Sequence, residues 1–86
     1  MKQFTYTLTS PHGIHARPAG LLAKEAARFP ETEITVSHGE KSAGATQLLR
    51  LMSLGVKQGD TVTVAVSGGD EQGAMTAMES FFANQL

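Results

Sequence analysis

Cysteine is absent from this 86-residue chain. That one absence removes disulfides, thiol catalysis and thiolate metal sites together. No apolar run approaches the length of a membrane-spanning helix. The first residues, Met1-Lys2-Gln3-Phe4-Thr5-Tyr6, lack the apolar stretch of a secretory signal, so the cytoplasm is the expected location. Strong charge of either sign is missing too. The net charge of −1 excludes a generic nucleic-acid binder. There is no internal repeat, linker or low-complexity tract.

What is present is ordinary for a globular protein: 41% of residues are apolar, enough for one modest core. The length predicts a single domain over residues 1–86. Charge is unevenly spread. Arg17, Lys24, Arg28, Lys41 and Arg50 occupy the first part of the chain, while Asp60, Asp70, Glu71 and Glu79 meet no basic residue after Asp60. This pattern fits a positive face opposed to an acidic one, and equally fits plain solvated surface.

Hydrophobic periodicity gives the elements. Phe4, Tyr6 and Leu8 alternate with polar residues and predict a strand over 2–8. Ala19, Leu22, Ala23, Ala26 and Phe29 recur at helical spacing, predicting a helix over about 16–29 closed by Pro30, with Leu21 outside the apolar stripe. Ile34-Thr35-Val36 is a short strand, Ser37-His38-Gly39-Glu40 a turn, and Lys41-Ser42-Ala43 a returning edge strand. Leu48-Leu49-Arg50-Leu51-Met52 is a short apolar helix ending at Gly55. Val62, Val64 and Val66 mark the clearest strand, and Asp70 caps a last helix whose buried stripe is Ala74, Ala77, Met78, Phe81 and Phe82. The order β-α-β-β-α-β-α describes an α+β fold with helices packed on a sheet.

The chemistry concentrates in Pro11-His12-Gly13-Ile14-His15-Ala16-Arg17-Pro18-Ala19-Gly20. A histidine stands where a loop becomes a helix, and Pro18 suits the first helical turn because its missing N–H would have no partner there. Free N–H groups and the positive end of the helix dipole make such a place an anion site. They also disfavour the imidazolium, as does Arg17, which keeps the ring of His15 nucleophilic. Arg17 can clamp a phosphoryl group with its planar fork or serve only as a surface ion. The spacing alone also fits a histidine that merely caps the helix. Gly20 keeps the helix surface low for a close partner. His12 and His15 form a His-x-x-His pair, but with so few other ligand types nearby no metal is expected, nor any cofactor. His38 is expected to be exposed in its turn. Leu48 and Leu51 are expected in the core, with Leu49 and Met52 showing on the surface as an apolar docking patch.

Gly13-Ile14-His15-Ala16-Arg17-Pro18-Ala19, Lys41-Ser42-Ala43 running into Leu48-Leu49-Arg50-Leu51-Met52-Ser53-Leu54-Gly55-Val56, and Gly59-Asp60 with Gly68-Gly69-Asp70-Glu71 together resemble the histidine-containing phosphocarrier (HPr) family of the bacterial sugar phosphotransferase system. The resemblance spans essentially the whole chain. It implies an open-faced β-sandwich, a four-stranded antiparallel sheet with three helices on one face. It implies a phosphoryl carrier, not a self-sufficient enzyme, that accepts the group from phosphorylated Enzyme I on Nδ1 of His15 and passes it to the IIA domain of a sugar permease. Arg17 would assist, and the backbone of Ala16 and Arg17 would stabilise the phosphoryl group. His12, Ala16, Gly20, Lys24, Gln47, Leu48, Leu49, Arg50, Met52 and Ser53 would meet the partners, with Lys24, Arg28 and Arg50 rimming the apolar patch. A monomer without membrane insertion is expected. Many relatives carry a regulatory serine where this chain has Gln47, so serine-based regulation is not expected. A non-carrier regulatory module of the same fold is the alternative, against which the presence of His15 counts. An RNA-binding βαββαβ domain would want aromatic strand residues, and the strands here offer Val and Thr.

Overall fold

The computed structural model describes residues 1–14 and 16–86. In chain order the elements are β1 (Lys2–Thr7), α1 (Ala16–Ala26), β2 (Glu33–His38), β3 (Lys41–Gly44), α2 (Leu48–Ser53), β4 (Thr61–Ser67) and α3 (Glu71–Gln85). The strands form one antiparallel sheet in the order β1-β4-β2-β3. This is the four-stranded, three-helix open sandwich that the family resemblance implies, and the element order is the one read from the sequence.

Strand alternation decides which face the helices cover. Val62, Val64 and Val66 of β4, Ile34 and Val36 of β2 and Ala43 of β3 are buried, with Phe4 and Tyr6 of β1 packed against them. Between them, Gln3, Thr5, Thr7 and Thr61 face solvent. Above the inner face, α3 lies along β1 and β4, α2 along β3, and α1 packs on both helices. Phe82 anchors α3 by edge-on contacts with Phe4, Tyr6 and Phe81. Asp70 caps the same helix, accepting the Gly73 N–H at 3.0 Å.

The boundaries shift in three places. Helix α1 ends at Ala26, not 29, because Pro30 drives the preceding residue out of the α region. The chain finishes in a tighter turn, with the Arg28 N–H on the Glu25 carbonyl and the Phe29 N–H on that of Ala26. Leu8 leaves the first strand, although its N–H still bonds the Asp60 carbonyl at 2.9 Å. Ser37 and His38 belong to β2, not to the turn, since they pair with Ser42 and Lys41.

Two elements prepare the functional end of the molecule. Helix α2 runs only six residues, its Leu54 closing the last turn and Gly55 following at φ +68°. Only glycine takes that left-handed value without cost, so the helix stops there. The segment after α2 then returns beside the loop that follows β1, with the Gly59 N–H on the Leu8 carbonyl at 2.8 Å.

Candidate functional site

His15, the residue on which the sequence concentrates the chemistry, lies outside the described residues. The backbone on either side of it is described. The loop from Thr9 to Ile14 hangs from two carbonyls. The N–H groups of Thr9 and Ser10 both donate to the Leu86 carbonyl, at 2.7 and 2.8 Å. The Ile14 N–H donates to the Val56 carbonyl at 3.2 Å, and Ile14 is buried. Between them, Gly13 bonds back to Ser10 and sits at φ +62°. A Cβ on Gly13 would run into the Val56 carbonyl, so both the twist and the closeness require glycine. His12 is exposed on this loop, its N–H donating to Ser10 Oγ at 3.4 Å.

Helix α1 begins at Ala16. Ala16 and Arg17 are exposed, whereas Pro18 and Ala19 turn inward. The first-turn N–H groups of a helix have no intrahelical acceptor, and the dipole adds partial positive charge there. An anion at this end would therefore meet N–H groups and the Arg17 side chain from the same short stretch. Gly20, one turn on, is half-buried and has open space where a Cβ would stand. Its lack of a side chain lowers the helix surface and is not forced by packing.

Helix α2 supplies an apolar surface. Leu49 is 79% exposed, Leu48 and Met52 39% each, while Leu51 is fully buried. Leu48 is therefore a surface residue, against the core position that the sequence predicts for it. A helical Cβ tilts towards the N-terminus, which carries Leu48 to the open end of this short helix. Arg50 and Ser53 are exposed, and Ser53 Oγ donates to the Arg50 carbonyl at 2.9 Å. Gln47 precedes the helix without capping it. Its Oε1 instead accepts the Gly44 N–H at 2.8 Å, tying α2 to the end of the edge strand β3.

The basic rim is only partly assembled. Arg50 lines the groove between the end of α1, β3 and α2, with Ala27, Pro30, Ser42 and Gln47. Arg28 lies on the other flank of α1, against Ser80 and Phe81 of α3, and pairs with Glu25 at 2.9 Å. It does not rim the α2 patch. The ion pair with Glu25 holds its guanidinium along this flank. Lys24 is exposed along the same α1–α3 flank, where Leu21 also shows.

His38 departs most from expectation. It is half-buried, with Nδ1 2.9 Å from the Leu54 carbonyl and Nε2 3.3 Å from Asp60 Oδ2. These contacts join segments distant in sequence, so no local pattern signals them. Among the described residues no group of three or more His, Asp or Glu side chains is placed to hold a metal ion. No helix of the described residues is long and apolar enough to cross a membrane.

The structure is a small α+β sandwich with a loop-to-helix junction ahead of α1 and an exposed apolar surface on α2. The family model described as the PTS HPr component phosphorylation site matches residues 2–84. The phosphocarrier protein HPr of Mycoplasma genitalium is 36% identical over 80 residues, covering 93% of this chain and 91% of that protein. The crystal structure of an HPr from Thermoanaerobacter tengcongensis superposes with a TM-score of 0.85 at 37% identity, covering all of both chains. The Bacillus subtilis protein Crh, described as an intertwined, domain-swapped dimer, superposes at 0.77 with 31% identity, covering 100% of this chain and 98% of that one. The chain belongs to the HPr family, and its role is that of a phosphocarrier of the phosphotransferase system.

Proposed function

We propose that this carrier takes its phosphoryl group from phosphorylated Enzyme I onto His15 and delivers it to the IIA domains of sugar permeases, as a cytoplasmic single-domain protein. The observation that carries the reading is the phosphorylation-site family match over nearly the whole chain, with His15 in the residue run immediately ahead of α1.

The step needs a neutral imidazole. The Nδ1 lone pair of His15 attacks phosphorus while the bond from phosphorus to the donor breaks, and the donor leaves with that electron pair. Delivery is the same exchange in reverse direction, with the acceptor attacking and Nδ1 leaving. The N–H groups of Ala16 and Arg17 at the start of α1 meet the phosphoryl oxygens, and the guanidinium of Arg17 adds charge. Helix-end stabilisation of an exposed anion is worth about 0.3–1 kcal/mol. That suits a carrier, since a tighter hold would stop the group from leaving.

Docking falls to Leu48, Leu49 and Met52, with His12, Ala16, Gly20, Gln47 and Ser53 around them and Arg50 and Lys24 steering acidic partners. Gln47 stands where many relatives carry a regulatory serine. It has no hydroxyl to phosphorylate, and its amide oxygen is engaged by Gly44. The carrier is therefore insensitive to a kinase of that serine. The experiment that tests the whole reading is incubation with Enzyme I and phosphoenolpyruvate, followed by detection of acid-labile phosphohistidine. A chain that takes no label is not this carrier.

A further inference from the structure

We propose that His38 is a positioning residue for the phosphoryl-accepting loop, clamping the backbone segment from which Ile14, the residue before His15, is hung. The proposal rests on the carrier reading above for its transfer arm, and on geometry alone for the clamp.

The ring grips one segment at both ends. On one side Nδ1 donates to the Leu54 carbonyl at 2.9 Å. On the other, Nε2 meets Asp60 Oδ2 at 3.3 Å, and the same Oδ2 accepts the Lys57 N–H at 3.0 Å. Val56 lies between these two grips. Its carbonyl is the acceptor for the Ile14 N–H and the wall against which Gly13 packs. The path from ring to loop is thus short and made of named bonds: His38 to Leu54 and Asp60, the 54–57 backbone to Val56, and Val56 to Ile14. His38 itself is held at the end of β2 by its pairing with Lys41, so the clamp is anchored in the sheet.

Both neighbours of the ring are acceptors, a carbonyl and a carboxylate. Only a ring carrying protons on both nitrogens donates to both. The other charged groups at this corner are Lys41 opposite His38 on β3, Glu40 in the turn and Lys57 beside Asp60. A looser Val56 lets the Ile14 backbone wander, and small displacements of a reacting group lower the rate of transfer while leaving remote docking contacts as they were.

The test uses the full chain with His38→Ala, His38→Asn and Asp60→Asn. Asparagine at 38 keeps a donor for Leu54 and loses the contact with Asp60, and Asp60→Asn keeps an acceptor for the Lys57 N–H while removing the charge. Hydrogen exchange should show the Ile14 amide opening about tenfold faster in His38→Ala, with amides of β4 and the middle of α1 unchanged. In phosphoryl transfer from Enzyme I, the variant should lose several-fold in kcat with KM unchanged. His38→Asn, which keeps a donor for the Leu54 carbonyl, should raise Ile14 exchange less than His38→Ala does. Unchanged Ile14 exchange, an equal rise at every core amide, or parental kcat despite faster Ile14 exchange would each overturn the proposal. If the parent chain accepts no phosphoryl group, the carrier reading falls with the transfer arm, and the exchange arm still decides whether the clamp exists.

Discussion

Arg17 tests whether the start of α1 is a phosphoryl site or a stretch of surface. It is exposed, so its loss should move the thermal midpoint little, within the ±0.5 kcal/mol usual for such sites. Arg17→Ala should slow transfer in at least one direction. Parental rates in both would make it a surface charge. Two glycines of the same region differ in kind. Gly20→Ala meets open space inside a helix and should stabilise the fold by about 0.5–1 kcal/mol, so any loss of activity would report on partner approach. Gly13→Ala should destabilise markedly, because a Cβ there meets both a left-handed φ and the Val56 carbonyl. Thermal melts of the two variants check this contrast. Ser10-Pro11-His12-Gly13 reads as a loop in the sequence, since proline and glycine punctuate turns. The packing of Gly13 on Val56 was not legible there, and neither were the two contacts of His38, because each joins chain segments that no local window spans.

Helix α2 divides folding from docking within one and a half turns. Leu51→Ala removes a fully buried side chain and should cost about 2–5 kcal/mol. Leu49→Asp removes a side chain that is 79% exposed, so the melt should hardly change while affinity for Enzyme I and IIA domains falls. Amide shifts on titration with the N-terminal domain of Enzyme I should cluster on residues 12–24 and 47–56. Clustering on α3 or the outer sheet face would misplace the docking surface. The apolar run of α2 announced the helix and the places of Leu49, Leu51 and Met52 but not that of Leu48, which shares the stripe of Leu51 and differs in standing at the uncovered end. At the start of α3, the Gly68 N–H and then the amino group of Met1 hold the Glu71 carboxyl below its usual range. A depressed carboxyl contributes stability that is present above its unfolded value and lost as pH falls through the folded one. Glu71→Gln should therefore melt slightly below the parent at neutral pH, and the two curves should converge as pH falls below about 4.

At the scale of the whole molecule, the element order and the valine alternation of β4 gave an α+β fold with helices on one side of a sheet, and the open four-stranded sandwich came from the family resemblance. The proposed site reads from the sequence as a residue run, Gly13 to Pro18, because a histidine just ahead of a helix with proline in its first turn has a stated chemical use. What holds that run in place comes from Leu86 and Val56, whose contribution is a backbone carbonyl and leaves no trace in residue type. The absence of a hydroxyl at Gln47 extends to regulation. A kinase of the family's serine should leave this chain unlabelled, and stoichiometric label on Thr46 or Ser53 would contradict that. The most direct measurement of the central claim is mass spectrometry of the intact chain after incubation with phosphoenolpyruvate and Enzyme I. The account predicts one acid-labile phosphoryl group, mapped to His15 and absent from a folded His15→Ala variant. Label on His12 or His38, or equal labelling of the alanine variant, would contradict it.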